Sequence, residues 1–81
     1  MIPREDALLE TARRYCEATG LALATVSTRA VNDGKCLGRV ANGGQITQNN
    51  FLRGMRWFSD HWPGEVEWPG DIERPEQERA A

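Results

Sequence analysis

Lys35, Arg39 and Asn42 stand at i, i+4 and i+7, a spacing that puts three side chains on one face of a helix. Two cations and an amide in a row suit phosphate oxygens and base edges. A guanidinium matches guanine O6 and N7 or a phosphate, an ammonium clamps a phosphate, and an amide reads adenine or bonds backbone oxygens. More polar residues bracket this stretch: Thr25, Thr28 and Arg29 before it, and Gln45, Thr47, Gln48, Asn49 and Arg53 after it. Where such residues meet a helix N-terminus they hold phosphate well, because free N–H groups point at the anion. Plainer readings stand beside these. Thr25 and Thr47 serve as caps, and Asn32 and Asp33 shape a turn.

Catalytic chemistry finds little support. The chain has one histidine, His61, and two cysteines, Cys16 and Cys36, with no CxxC pair and no His or Cys pair at metal-ligand spacing. GxSxG, HExxH, P-loop and GxGxxG patterns are missing. At 81 residues, a single small domain has trouble building both a core and a sheltered cleft. The reading is therefore a non-enzyme without cofactor or metal. Cys16 falls on an apolar stripe as an inert thiol, Cys36 sits beside Lys35 without an accompanying base, and His61 suits a helix C-terminus.

Four helical segments must position the polar residues, which makes the expected class all-α. The first runs from Arg4 to Thr19, with Glu5 and Asp6 at its positive end, Leu8, Leu9, Ala12, Tyr15 and Cys16 along one stripe, and Gly20 as its stop. The second spans Leu21 to Asn32, with Val26, Ala30 and Val31 facing inward, and Asn32-Asp33-Gly34 reads as a turn. The third, Lys35 to Asn42, is short and contains Gly38, which costs about 1 kcal/mol of helix propensity; tertiary contacts must hold it. Gly43-Gly44 ends it. The fourth starts after an N-cap at Thr47 and repeats Phe51, Met55, Phe58 and Trp62, with Leu52 widening the stripe, until Pro63-Gly64. Gly54 either weakens that helix or admits a close neighbour. Trp57 lies off the stripe and is expected partly exposed, a candidate contact for a partner.

A helix, an Asn/Asp/Gly turn and a short helix carrying Lys and Arg outward form the plan of a helix-turn-helix. Two frames fit. One makes Val26 the first lock, Ser27 the small residue at the crossing, and Ala30, Leu37 and Val40 the remaining locks. The other takes Ala30 as the small residue, Gly34 in the turn and Val40 as lock, but it sends Arg29 and Asp33 into the core. Buried unpaired charge is costlier than a missing turn glycine, so the first frame is preferred.

With these residues in place, residues 4–62 resemble the lambda-repressor/Cro-like helix-turn-helix family of phage and bacterial regulators, in particular small phage-type proteins. The running pattern is Tyr15-Cys16, Thr19-Gly20-Leu21, Thr25, Ala30-Val31-Asn32-Asp33-Gly34, Arg39, Gly43-Gly44 and Ile46-Thr47. The resemblance implies a recognition helix at Lys35–Asn42 in the major groove of double-stranded DNA. It also implies phosphate contacts from Thr25, Thr28, Arg29, Thr47, Gln48 and Asn49, and a dimer or several copies on the DNA.

Charge distribution agrees with that reading and adds a rival. The net charge is −2, yet residues 1–57 carry eight cations against five acids, for +3, and residues 58–81 carry two against seven, for −5. Between Arg29 and Arg56 five cations face Asp33 alone. The acidity sits in a tail, 63–81, that holds three of the four prolines, and two Trp-Pro-Gly triplets start at Trp62, just before it, and at Trp68. Trp68 is expected to fold back as a plug with Val66 beside it, and the last ten or so residues, beyond Ile72, to be disordered. The favoured function is sequence-specific DNA binding by a small transcriptional regulator. The alternatives are a protein-interaction adaptor or inhibitor working through the acidic tail and exposed tryptophans, and a phage-type DNA-packaging recognition protein. The longest apolar runs are four and three residues, too short for a membrane span. With no basic or apolar leader, the expected location is cytoplasmic.

Overall fold

The computed structural model describes residues 2–75. Four helices follow one another: α1 (Arg4–Thr19), α2 (Leu23–Val31), α3 (Cys36–Ala41) and α4 (Gln48–His61). No strand occurs among the described residues, so the class is all-α.

α1 has the limits that its composition dictates. Glu5 and Asp6 occupy the first turn, against the positive end of the dipole. At the other end Gly20 takes φ +78° and its N–H closes on the Cys16 carbonyl at 2.8 Å, a left-handed turn that a side chain would strain. Ala7, Leu8, Leu9, Ala12 and Tyr15 are buried. Thr11 is buried with them, and its hydroxyl is satisfied by donating to the Ala7 carbonyl at 2.8 Å.

α2 starts two residues later than its apolar beginning suggests. Ala22 is extended, at φ −73° and ψ 151°, and no side chain caps the helix. Leu21 and Leu23 are half-buried and pack on the core from either side of that corner. α4 is capped by Thr47, whose hydroxyl accepts from the Asn50 N–H at 3.1 Å. Met55 and Phe58 are buried, and Phe51, Trp57 and Trp62 pack partly buried against them. Leu52 does not widen this stripe. It is 40% exposed, because the face of α4 that meets α1 and α2 is already filled by Met55 and Phe58.

α1 lies against all three other helices, and α2 sits between α3 and α4, which do not touch each other. α4 approaches closely at Gly54, where a Cβ would come within 3.1 Å of Leu8 Cδ1 and 3.2 Å of Val31 Cγ1. Of the two readings of Gly54, close approach is the one realised. Each fully buried Leu, Met or Phe of this centre contributes about 1.5–3 kcal/mol through apolar burial.

The segment after α4 is packed, not loose. Trp62-Pro63-Gly64-Glu65-Val66 and Trp68-Pro69-Gly70-Asp71-Ile72 make the same closed turn twice. In each, the last N–H donates to the proline carbonyl, at 3.2 and 3.1 Å. The indole N–H donates to the carbonyl four residues on, at 2.7 and 2.8 Å. The two indoles meet edge to face, with centroids 4.8 Å apart, and Pro69 and Ile72 are buried. Trp68 thus folds back as expected. Disorder from residue 72 does not hold for residues 72–75. Arg74 donates to the Ser59 hydroxyl at 3.0 Å and the Ser59 carbonyl at 2.8 Å, and its guanidinium lies 5.2 Å from the centre of the Trp68 ring. Residues 76–81 lie outside the described residues.

Candidate nucleic-acid interface

One buried hydroxyl bridges α2, the turn and α3. Val26, Ser27, Ala30, Leu37 and Val40 are all buried, while Arg29 and Asp33 are exposed, which is the pattern of the frame with Ser27 at the crossing. Ser27 Oγ accepts the Leu37 N–H at 3.0 Å, one of the four N–H groups that the start of α3 leaves without a helical partner. The same hydroxyl donates to the Asp33 carbonyl. A side chain from α2 therefore does for α3 what a local N-cap does elsewhere, and Lys35, the residue preceding α3, supplies no side-chain cap.

The turn is tied further by Asp33. Its Oδ1 accepts the Lys35 N–H at 2.9 Å, and its Oδ2 meets Arg39 Nη2 at 3.0 Å. The backbone N–H and the Arg39 guanidinium hold the Asp33 carboxyl below its ordinary range. Asn32 takes the left-handed conformation, φ 58°. Gly34 has no positive φ, and its role is contact: a Cβ there would fall 2.9 Å from Thr28 Oγ1. Beyond the last residue of α3, Ala41, Gly43 takes φ +95°, and the Gly44 N–H donates to the Arg39 carbonyl at 2.8 Å.

Lys35, Arg39 and Asn42 are exposed on the outer side of α3, opposite buried Cys36, Leu37 and Val40. Arg39 gives one N–H group to Asp33; its other donors have no partner among the described residues. Thr28 is beside the turn, its hydroxyl donating to the Ala24 carbonyl at 3.1 Å. Thr25 is exposed in the first turn of α2 and caps nothing.

The remaining predicted residues fall into two other places. Gln45, Thr47, Gln48 and Asn49 are exposed around the start of α4. There Gln48 Oε1 accepts from Arg4 Nη1 at 2.9 Å, and the Glu5 carboxylate accepts the Ile46 N–H at 3.1 Å. That N–H is the main reason the Glu5 carboxyl lies below its ordinary range. Arg29 and Arg53 border a separate groove of about 420 Å³ between α2 and α4 together with Arg56. Sequence reasoning left Arg56 out of the site, although its i+3 relation to Arg53 was available. A larger groove of about 780 Å³ runs between the start of α1, α4 and the tail, and contains the exposed Ile2 and Leu52.

The other reactive side chains have structural settings. Burial pushes the Cys16 and Cys36 thiols up, away from the thiolate that a nucleophile or metal ligand needs. No group of three His, Cys, Asp or Glu suited to a metal ion occurs among the described residues. His61 Nδ1 donates to the Trp57 carbonyl at 2.8 Å and its ring stacks on Trp57, with centroids 4.3 Å apart. Tyr15 meets Trp57 edge to face at 5.2 Å, so Trp57 is half-buried among aromatic neighbours. All three tryptophans are half-buried. No helix among the described residues is long and apolar enough to cross a membrane. No protein-family model, curated protein or solved structure matches the chain.

Proposed function

We propose that the protein binds double-stranded DNA through α2, the turn and α3, as a helix-turn-helix, and acts as a small transcriptional regulator of phage or bacterial type. The observation that carries this reading is the pairing of a locked turn with an outward cationic face. Ser27 fixes α3 on α2, and Lys35, Arg39 and Asn42 are left clear of the core. A six-residue helix has no stability of its own, so a rigid joint is what lets such a short element present side chains in fixed register.

In this reading α3 enters the major groove. Arg39, oriented by Asp33, offers its remaining donors to guanine O6 and N7 or to a phosphate. Lys35 clamps a phosphate, and Asn42 and Gln45 read adenine or bond backbone oxygens. Thr25 and Thr28 on α2, and Thr47, Gln48 and Asn49 at the α4 N-terminus, hold flanking phosphates. One such module buries little surface, so useful affinity comes from a dimer or several copies on the DNA.

The test is fluorescence anisotropy of a labelled 30-base-pair duplex titrated with protein at several salt concentrations. Binding that weakens steeply with salt, and is lost in Lys35→Ala/Arg39→Ala, supports the assignment. Unchanged affinity in that double variant removes α3 as the recognition element.

A further inference from the structure

Arg29, in the last turn of α2, and Arg53 and Arg56, one turn apart on α4, border the same shallow groove of about 420 Å³. Arg4, Arg14, Arg39 and Arg74 each have a hydrogen-bonding partner. Arg29, Arg53 and Arg56, like Arg13 on α1, have no ion pair and no side-chain hydrogen bond among the described residues, and unlike Arg13 the three share one groove. Asp60 also lines the groove, one turn on from Arg56, and pairs with none of them. Three guanidiniums against one carboxylate leave the groove strongly cationic.

That arrangement costs the free protein something. Like charges one turn apart on a helix repel, and the third cation is brought in by tertiary packing. Gly54, next to Arg53, lets Val31 of α2 come within 3.2 Å of where a Cβ would stand, which keeps the two helices, and hence their arginines, close. The half-buried Trp57 walls the groove, but His61 is stacked on its ring, which disfavours base stacking there. What the groove offers is charge and planar donor forks, the chemistry that recognises phosphate.

We propose that this α2–α4 groove is a second DNA contact surface that binds the phosphodiester backbone of the duplex independently of sequence. It rests on the DNA-binding reading above but not on α3. α3 and α4 do not touch, and α2 lies between them, so a duplex held at α3 reaches the groove only by extending its backbone past α2. The surface enlarges the footprint of a module whose recognition helix is six residues long.

The experiment replaces Arg29, Arg53 and Arg56 together by Gln, which keeps much of each aliphatic stem, and in a second protein by Lys, which keeps the charge. Melting by circular dichroism first establishes that both fold. Anisotropy titrations of two unrelated 30-base-pair duplexes then give log Kd against log salt. Each phosphate contact contributes about 0.9 to that slope, so the Gln variant is expected to lose about 2 to 3 units of slope, equally on both duplexes, and the Lys variant to keep most of it. An unchanged slope in the Gln variant overturns the groove even where Lys35→Ala/Arg39→Ala abolishes binding, and the α3 reading then survives alone. Loss of binding in the Gln variant with none in the α3 variant supports the groove and overturns α3. Failure of the unaltered protein to bind any duplex, with a poly-glutamate peptide bound in its place, overturns both.

Discussion

Ser27 Oγ lies 3.0 Å from the backbone nitrogen of Leu37, ten residues further along the chain, and donates its own proton to the Asp33 carbonyl between them. The hydroxyl is fully buried, so water cannot replace it. Ser27→Ala leaves the Leu37 N–H without a partner, while the Asp33 carbonyl keeps the Cys36 N–H at 3.2 Å, a loss of about 1–3 kcal/mol. Urea denaturation followed by circular dichroism is expected to register it as a lower midpoint with an unchanged m-value. A midpoint equal to that of the unaltered protein would show that the joint carries no stability.

Two helical glycines make opposite predictions. At Gly38 a Cβ meets nothing within 4 Å, so Gly38→Ala gains helix propensity, about 1 kcal/mol, and raises the melting temperature. At Gly54 the first added carbon already presses on Leu8 and Val31, and Gly54→Val is expected to lose about 1–3 kcal/mol through overpacking. Differential scanning calorimetry of the pair separates them; equal shifts would contradict the close approach of α4 to α1 and α2.

Acid should weaken the fold through Glu5 and Asp33. Both carboxyls lie below their ordinary values, Glu5 chiefly through the Ile46 N–H and Asp33 chiefly through the Lys35 N–H. A lowered folded-state value means that the stabilisation is complete above the unfolded value, about 4. It is lost as pH falls toward and through the folded value. The melting temperature is expected to be flat near neutrality and to drop below about pH 4, with a shallower drop in Glu5→Gln/Asp33→Asn. Equal acid sensitivity in the double variant would place the responsible groups elsewhere.

Removing the second indole should be costly for a segment so rich in charge. Trp68 packs on Trp62, bonds the Ile72 carbonyl and underlies Arg74. Trp68→Ala is expected to destabilise the whole domain by about 3 kcal/mol, the low end for aromatic truncation because the ring is only partly buried. Thermal melts of Trp68→Ala and of a chain ending at Val66 should shift in the same direction. No shift in either would mean that the tail packs without contributing.

α1 and α4 were legible because their signals are local: an apolar stripe, an acidic first turn and Gly20 for one, a Thr47 cap and an aromatic stripe for the other. The burial of Val26, Ser27, Ala30, Leu37 and Val40 was legible too, since it needed only the rule that Arg29 and Asp33 stay out of the core. Ala22 carries no mark of its extended backbone, so the start of α2 was misplaced. Arg29 beside Arg53 and Arg56 is a juxtaposition of distant residues, and Arg39 with Asp33 a pairing across a turn, and periodicity reveals neither. Composition misled most at Ile72–Pro75. Proline and charge there suggested disorder, but a buried Ile72 and the clip of Arg74 on Ser59 outweigh them.

The paired Trp-Pro-Gly turns bear on how the chain comes apart. Each closes within five residues, so forming one costs little loop entropy, and the second meets the first ring to ring and is clipped to α4 by Arg74 on Ser59. Such a segment suits a cooperative unit of its own, able to lift off and return while α1 to α4 stay folded. In native-state hydrogen exchange the amides of Val66 and Ile72 would then open together, at a free energy below that of Leu37 or Phe58, and the protein would present two tiers of stability within a chain of 81 residues.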